Sequence, residues 1–364
     1  MRILVTSAGK GTSNNVLRSL RAGDPTAVLV GCHANRFELK LSPAERNVLI
    51  DASPTDEDPL PERFERAIRH LVGSTGFDLL IPGNDRDARA IARMHAAKPI
   101  GCRVFLPAPG TIETCQDKLV LNALLARAGI PVAQSIPVGD FAGLRAAWDA
   151  LGNPAIAWCR IRRGSASRGA TMVRDPDQAW AWIQYWHTMR GVPVDAFTLC
   201  AFLPGRDFNV QGIWKGGRPC LVRMCERLSY LNAEHHPSGM ASTPAIAKTL
   251  WDGGIARTCE AALRAVDPTA EGVFNVDLKQ DADGIACVTE INAGRFAMIT
   301  PLYDAMGTTS MVMAYVRIAM GEAVQAESTG AIAGHHYLIR EIDSLPLVVE
   351  GKQMGNGIER LAVQ

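Results

Sequence analysis

The fold of this chain can be inferred from two short runs of sequence: Phe274-Asn275-Val276-Asp277-Leu278-Lys279 and Cys287-Val288-Thr289-Glu290-Ile291-Asn292. Between them, Asp283-Gly284 predicts a two-residue type I′ hairpin turn, which needs positive φ at both central residues. With that turn, Asp277 faces Glu290 and Asn275 faces Asn292. Because side chains alternate along a strand, these four polar groups are expected on one face of the hairpin. The opposite face would be apolar, with Phe274, Val276, Leu278 and Ile291.

This pairing would bring two carboxylates together. Residues directly opposite each other have β-carbons ~5 Å apart, so Asp277 and Glu290 repel unless a positive group lies between them. A divalent cation is one solution, since Mg²⁺ prefers oxygen ligands and is usually held by one or two carboxylates plus the phosphates of a substrate. A solvated, exposed hairpin is the alternative. Only Lys279 offers a compensating charge within the two runs, which favours a metal-nucleotide site.

Composition limits the classes of function. A chain of 364 residues suggests two or three domains, and 38 basic against 37 acidic residues make it nearly neutral. That balance gives no reason to expect nucleic acid or an anionic membrane as a partner. Nine cysteines at scattered positions form neither a disulfide framework nor a zinc motif. We expect a soluble cytoplasmic protein, because no apolar run suits a signal peptide or a membrane span.

The N-terminal third has the pattern of a doubly wound parallel sheet. An apolar strand at 3–5, a loop of small residues, a helix at 16–21 and a strand at 27–32 form a βαβ start. The loop lacks a full dinucleotide fingerprint, so a structural role is favoured over anion binding. Further strands are expected at 78–82 and 103–106. Asn84 and Asp85 either line a pocket at the strand ends or cap the following helix.

A second strong signal lies between residues 160 and 169. Four arginines are interleaved there with Gly, Ser and Ala, and this mixture of guanidinium, hydroxyl and backbone N–H donors suits phosphate oxygens. A nucleic-acid patch is the competing interpretation, but no aromatic residues are interleaved for base stacking. The stretch therefore predicts a flexible loop that covers a triphosphate.

The other expected elements are helices at 61–72, 118–128, 140–151, 175–189, 252–266 and 308–320, and strands at 155–159, 196–203, 206–213, 337–339 and 347–349. Residues 220–247 are expected to form an irregular loop that contacts substrate.

The order of these pieces resembles the ATP-grasp superfamily, and within it one synthetase unit of the carbamoyl-phosphate synthase large subunit. The similarity covers about residues 1–325. It rests on Ile3-Leu4-Val5-Thr6 with Gly9 to Asn15, Asp117-Lys118 with Ala128 to Pro131, Arg160 to Gly169, Leu203 to Phe208, and Asn275 to Asp277 with Glu290 to Asn292. Such proteins have a pre-ATP-grasp α/β domain followed by two α+β subdomains that clamp Mg-ATP.

The resemblance implies roles for individual residues. Lys118 and Arg160 would contact the α- and β-phosphates, a loop containing Ser165, Ser167 and Gly169 would cover them, Ala201, Phe202 and Leu203 would hold the adenine edge, and Asp207 would hold the ribose. Asp277, Glu290 and Asn292 match the metal ligands, for Mg²⁺ or alternatively Mn²⁺. Arg162, Arg168 and Arg295 are the candidate catalytic side chains, with Arg295 just past the metal ligands. Arg160 stands where many members have lysine, and keeps the charge.

The implied activity is an ATP-dependent carboxylate-amine ligase that acts through an acyl-phosphate on small, amino-acid-like substrates. A kinase-like phosphotransferase and a non-catalytic ATP-binding regulatory protein stay open. The expected divisions are a pre-ATP-grasp domain at 1–112, subdomain A at 113–195, subdomain B with the metal site at 196–325, and a C-terminal extension at 326–364. The sequence leaves both a monomer and a homodimer open.

Overall fold

The structure begins with a parallel sheet. A computed structural model describes residues 1–164, 167–236, 238–239, 241–324, 335–342 and 344–353. Five parallel strands are arranged in the order β3-β2-β1-β4-β5. They are β1 (Arg2–Thr6), β2 (Val28–His33), β3 (Arg46–Leu49), β4 (Leu79–Ile81) and β5 (Arg103–Val104).

Helices cover both faces of this sheet. They are α1 (Gly11–Gly23), α2 (Arg36–Leu39), α3 (Glu62–Thr75) and α4 (Asp85–Ala97); α5 (Pro109–Gln116) follows the sheet in the chain. Ile3 and Val5 pack with α1, whereas Leu4, on the opposite face of β1, packs with α3 and α4. This confirms the doubly wound parallel sheet.

The first helix begins at Gly11 rather than at Val16. Small polar residues usually favour turns, but here the side chains of Ser13 and Asn14 are satisfied by the preceding strand and loop. Ser13 donates to the Thr6 carbonyl at 2.9 Å, and the Asn14 side-chain oxygen accepts from the Gly9 N–H at 3.0 Å. The residues that look like a loop therefore form the first turn of the helix.

A four-stranded antiparallel sheet follows in the order β6-β9-β7-β8. Its strands are β6 (Ser135–Pro137), β7 (Ala157–Ile161), β8 (Thr171–Val173) and β9 (Phe197–Ala201), and the helices of this segment are α6 (Lys118–Arg127), α7 (Phe141–Ala150) and α8 (Pro176–Arg190). Leu144 and Trp148 of α7 and Ile183 of α8 pack with the buried residues of β7 and β9.

The third sheet has seven antiparallel strands in the order β14-β13-β10-β11-β12-β15-β16. They are β10 (Asp207–Lys215), β11 (Arg218–Tyr230), β12 (Pro244–Leu250), β13 (Gly272–Gln280), β14 (Ala286–Ala293), β15 (His336–Ile339) and β16 (Leu347–Glu350). Helices α9 (Gly253–Val266), α10 (Thr300–Asp304) and α11 (Met311–Ala319) accompany them. Leu263 of α9 packs with Phe208, Phe274, Val276 and Ile291, so the predicted apolar face of the hairpin is confirmed.

The expectation of an irregular loop at 220–247 is wrong for much of its length, because β11 and the start of β12 occupy it. The Ser, His, Pro and Gly content of this segment predicted the loop, whereas its charged residues are paired within the strands. Glu226 accepts two hydrogen bonds from Arg206, and Arg223 donates to the carbonyls of Tyr303 and Thr309. Charge alone therefore does not exclude a strand when partners are supplied by distant residues.

The hairpin of β13 and β14 has the predicted pairs but not the predicted turn. Asn275 faces Asn292 and Asp277 faces Glu290, as expected. The turn is a three-residue loop: the Asp281 N–H bonds to the Ile285 carbonyl at 3.0 Å, and Gly284 has φ of +80°. This loop shifts the register by one residue, and a bulge at Thr289 shifts it back.

The division into four segments stays a prediction. Buried residues of β1, α1, α10 and α11 share one hydrophobic core, so chain segments far apart in sequence pack together. In the part of the chain that the structure describes, we find no helix long and apolar enough to cross a membrane.

Candidate active site

A cavity of about 650 Å³ is lined by parts of all three sheets and their loops. Most of the residues singled out in the sequence line it: Lys118, Arg160, Ser167, Arg168, Ala201, Phe202, Leu203, Asp207, Asp277, Glu290, Asn292 and Arg295. Asn84 and Asp85 line it too, and the Asn84 side chain also caps α4 by accepting from the Asp87 N–H at 2.9 Å. Both roles considered for Asn84 are therefore present.

One wall of the cavity is the polar face of the hairpin. The Asn209 amide donates to Asp277 Oδ1 at 2.8 Å, and the Asn292 amide is 3.4 Å from Asp277 Oδ2. The extra residue at the bulge, Thr289, donates from its hydroxyl to the Asp277 carbonyl at 3.0 Å. These contacts hold the Asp277 carboxylate toward the cavity.

Each hairpin carboxylate has a basic partner. Lys118 Nζ lies 3.1 Å from Glu290 Oε2, and Arg227 Nη1 lies 3.0 Å from Asp277 Oδ1. Burial alone would raise the pKa of Glu290, but Lys118, Arg160 and Arg295 hold that pKa below its usual value. For Asp277, burial outweighs the effect of Arg227, and its pKa is raised. Glu290 is therefore the more readily ionised of the two carboxyl groups.

Arg160 has donor capacity that the protein does not use. Its Nη1 donates to the Thr289 carbonyl at 3.2 Å, so the bulge that corrects the register also provides a partner for this arginine. Its Nε is buried and has no hydrogen-bond partner among the described residues. A buried, unpaired donor costs free energy unless a ligand satisfies it. Arg160 is therefore suited to a phosphate oxygen.

Arg295 connects the hairpin to the parallel-sheet segment. Its Nε donates to Asp85 Oδ1 at 2.7 Å, and its Nη2 donates to Asn292 Oδ1 at 2.8 Å. The amide of Asn275 bonds to the Arg295 carbonyl at 2.6 Å. These contacts hold Arg295 in one orientation at the edge of the polar face of the hairpin.

The structure does not bring every predicted residue to the cavity surface. Arg162 donates from Nε to Asp117 Oδ1 at 2.7 Å, and it is absent from the lining among the described residues. Gly169 also lies behind the lining; its φ is +68°, and an added β-carbon would be 2.4 Å from Ile161. Ser165 lies outside the described residues. The neighbouring Arg168 does line the cavity, with its guanidinium 5.7 Å from the Trp186 ring.

Residues 201–203 and Asp207 also line the cavity. Arg227 donates to Asp207 Oδ1 at 2.7 Å, the Tyr230 hydroxyl donates to Oδ2, and Lys279 Nζ lies 3.9 Å from Oδ2. Arg227 and Tyr230 were not predicted as site residues. Arg227 is identified by its position directly opposite Asp207 in the pairing of β10 with β11. The register of that pairing is not specified by a sequence pattern.

The donor set fits a metal that is shared with a phosphate ligand. No group of three or more His, Cys, Asp or Glu residues in the described chain could hold a metal ion by itself. Asp277 and Glu290 provide two carboxylates, and Asn292 adds an amide oxygen that also accepts from Arg295. Mg²⁺ is typically bound by one or two carboxylates together with substrate phosphates. The residues therefore suit Mg²⁺ bound together with a nucleotide.

Comparison with known proteins identifies the fold. The sequence matches no protein-family model and no curated protein. Among solved structures, the chain is similar to the biotin carboxylase domain of 2-oxoglutarate carboxylase from Hydrogenobacter thermophilus, crystallised with MgADP, ADP and bicarbonate. The TM-score is 0.71 at 16% identity, over 93% of this chain and 74% of that one.

Two further solved structures are similar over most of their length. For the L-amino acid ligase from Bacillus licheniformis, the TM-score is 0.65 at 15% identity, over 93% of this chain and 79% of that one. For carboxyaminoimidazole ribonucleotide synthase from Aspergillus clavatus complexed with ATP, it is 0.67 at 15% identity, over 93% and 81%. These proteins share the ATP-grasp fold, and this chain has that fold, as its motif order predicted.

Proposed function

We propose, from the ATP-grasp fold and the residues in its cavity, that this protein is an ATP-dependent ligase that joins a carboxylate to an amine. The observation that carries the proposal is the meeting of two half-sites in one cavity. The hairpin contributes Asp277 and Glu290, and the β6-β9-β7-β8 segment contributes Lys118 and Arg160. Metal-ATP chemistry requires both carboxylates that hold the cation and positively charged side chains that bind the phosphates.

The nucleotide would lie across the cavity from Asp207 to Glu290. Lys118 and Arg160 would contact its phosphates, with Ser167 and Arg168 covering them from the 160–169 loop. Ala201, Phe202 and Leu203 would contact the adenine, and Asp207 with its partners Arg227 and Tyr230 would contact the ribose. The unsatisfied Nε of Arg160 supports the phosphate assignment. Arg162 would act indirectly, by joining the loop to Asp117.

Asp277, Glu290 and Asn292 would hold Mg²⁺, with Mn²⁺ as an alternative. When bound, such an ion neutralises the charge that develops on the transferred phosphoryl group.

The chain itself would position the reactants. A substrate carboxylate oxygen attacks the γ-phosphorus and ADP leaves; an amine then attacks the carbonyl carbon of the acyl-phosphate, phosphate leaves and the amine loses a proton. Arg295, fixed between Asp85 and Asn292, would orient the substrate carboxylate and stabilise negative charge at the reacting oxygens.

Phosphate release from ATP tests this proposal. The purified protein would be incubated with Mg-ATP and with L-amino acids and bicarbonate, each alone and in pairs with amines. Release that requires both a carboxylate and an amine supports the ligase. Formation of a phosphorylated product without an amine supports the kinase-like alternative. Nucleotide binding without release under any condition supports the non-catalytic alternative and overturns both enzymatic functions.

A further inference from the structure

We propose that Lys118 keeps a divalent cation out of the Asp277-Glu290 site until nucleotide phosphates are bound, so that metal and nucleotide bind cooperatively. This inference rests on the proposed function, because it assumes that phosphates and a metal share the cavity. It goes further by assigning to Lys118 a second role, as an internal counter-ion of a metal ligand.

The position of Lys118 is well defined by its neighbours. It is the first residue of α6, directly after Asp117, whose side chain caps the helix by accepting from the N–H groups of Leu119 and Val120. Its ammonium group lies between Glu290 Oε2, at 3.1 Å, and the Gly164 carbonyl, at 2.8 Å. Only 12% of the side chain is exposed. The ammonium therefore occupies a protected position against Glu290.

Arg227 provides an instructive contrast at the other carboxylate. Besides Asp277, it bonds to Asp207 and to the Phe208 carbonyl, at 2.7 and 3.3 Å. These contacts hold Arg227 between the two carboxylates, Asp207 and Asp277. Lys118 has one carboxylate partner, Glu290, and one carbonyl partner, Gly164, which lies within the 160–169 loop. Of the two ion pairs, the Lys118-Glu290 pair is the one that phosphates can change.

Charge explains why phosphates are needed. A divalent cation bound to Glu290 would lie next to the Lys118 ammonium. Two positive groups in contact with the same carboxylate repel strongly in a partly buried site. Phosphate oxygens accept hydrogen bonds from lysine and bring negative charge between the two cations. Bound phosphate thus makes the metal site available. By linkage, bound metal must increase nucleotide affinity by the same factor.

The test measures Mn²⁺ bound to the protein, by electron paramagnetic resonance of the free ion, with and without ADP and against a protein-free Mn²⁺-ADP blank. We expect ADP to tighten Mn²⁺ binding to the wild-type protein at least tenfold. Lys118→Met is expected to tighten Mn²⁺ binding in the absence of ADP at least tenfold and to reduce the effect of ADP. Lys118→Arg keeps the charge and should restore weak binding without ADP.

Lys279→Met is the matched control. Lys279 lines the same cavity and lies on the same hairpin, but its carboxylate contact is to Asp207. Its removal should change Mn²⁺ binding without ADP less than threefold. Circular dichroism would verify that each variant is folded.

Two results would overturn the inference. One is equal Mn²⁺ affinity of the wild-type protein with and without ADP, which leaves the proposed metal site intact. The other is a Lys118→Met variant that binds Mn²⁺ no more tightly than the Lys279→Met control. A wild-type protein that binds ADP but no Mn²⁺ would instead refute the metal site of the proposed function, and the inference with it.

Discussion

Arg295 and Asp85 are 210 residues apart in sequence and form an ion pair with an Nε to Oδ1 distance of 2.7 Å. Asp85 is the first residue of α4, where the helix dipole favours a negative charge, and Arg295 follows β14. The side chains are 24% and 16% exposed, so solvent screens the pair only in part. This contact connects the parallel-sheet segment to the hairpin of β13 and β14, which carries the candidate metal ligands.

Asp85→Asn should therefore reduce turnover without reducing nucleotide affinity. The substitution removes the charge that orients Arg295, and we expect kcat to fall about 10- to 100-fold, as for other misplaced catalytic groups. ADP binding by calorimetry should change less than threefold. Asp56→Asn is the control, because Asp56 pairs with Arg86 at a more exposed position. Equal kcat values for the two variants would contradict the role given to this ion pair.

Glu290→Gln should abolish metal-dependent ATP turnover while the protein stays folded. Glutamine has the same shape but cannot supply the negative charge, so a loss of at least about 100-fold is expected. Phosphate release and thermal unfolding would be measured together. Glu226→Gln, a change in the same sheet but away from the cavity lining, should leave turnover near the wild-type value. Unchanged turnover in the Glu290 variant would remove the metal assignment.

Arg160→Lys should weaken ADP binding about tenfold. Lysine keeps the charge but loses the planar fork, including the unsatisfied Nε, and a hydrogen bond to a charged group contributes about 1.5–3 kcal/mol. Isothermal titration calorimetry would measure the change. The control is Arg163→Lys, since Arg163 pairs with Asp117 and its side chain is 67% exposed. Similar ADP affinities in the two variants would argue against a phosphate contact.

Asp117→Asn should lower the free energy of unfolding in a pH-dependent way. Burial opposes ionisation of Asp117, but Arg162, the Val120 N–H and Arg163 outweigh it, so its pKa is lowered in the folded state. A lowered pKa stabilises the fold above the unfolded value of about 3.9, and this contribution is lost as the pH falls through the folded value. We expect a cost of about 1–3 kcal/mol at pH 7 that diminishes below about pH 4.

Urea unfolding at pH 7, 5 and 3.5 measures this dependence. Asp140→Asn is the control, because Asp140 caps α7 by accepting from the Gly143 N–H and asparagine caps almost as well. That variant should lose less than about 0.5 kcal/mol. A constant cost of Asp117→Asn at all three pH values would show that its ion pairs do not contribute.

Gly9→Ala should destabilise the protein far more than Gly76→Ala. Gly9 has φ of +97°, and an added β-carbon would lie 1.9 Å from the Glu38 carbonyl oxygen. Gly76 has φ of +70° and no atom within 4 Å of that position, so only the backbone conformation is penalised, by about 1–2 kcal/mol. We expect Gly9→Ala to cost at least about 3 kcal/mol in urea unfolding, because backbone atoms must move. Equal costs of the two substitutions would refute the close approach of the loop between β1 and α1 to α2.

The sequence prediction was most accurate for the hairpin, partly because two shifts in strand register cancel. The Asp283-Gly284 turn was expected to set the register, yet the three-residue loop shifts it and the bulge at Thr289 restores it. The pairing of Asp277 with Glu290 was nevertheless right, because the apolar residues on the other face must enter the core. Burial of that face determines the register more strongly than turn geometry.

Prediction failed where charged residues are satisfied by distant partners. The Ser, His, Pro and Gly content of residues 220–247 suggested an irregular loop, but Arg223, Glu226 and Arg227 lie in β11, where ion pairs and carbonyl contacts satisfy them. A catalytic role for Arg162 stays a prediction; its ion pair with Asp117 accompanies its absence from the cavity lining among the described residues. Neither outcome can be inferred from spacing along the chain.

The sequence by itself determined the order of the elements, the apolar and polar faces of the hairpin and the stretch rich in arginine, because hydrophobic periodicity and residue chemistry act over a few neighbouring positions. Only the tertiary structure decided which charges meet. Lys118 reaches Glu290, Arg227 lies between Asp207 and Asp277, and Arg295 contacts Asp85. These pairs depend on strand register and on packing between distant segments, and electrostatic energy depends on those distances.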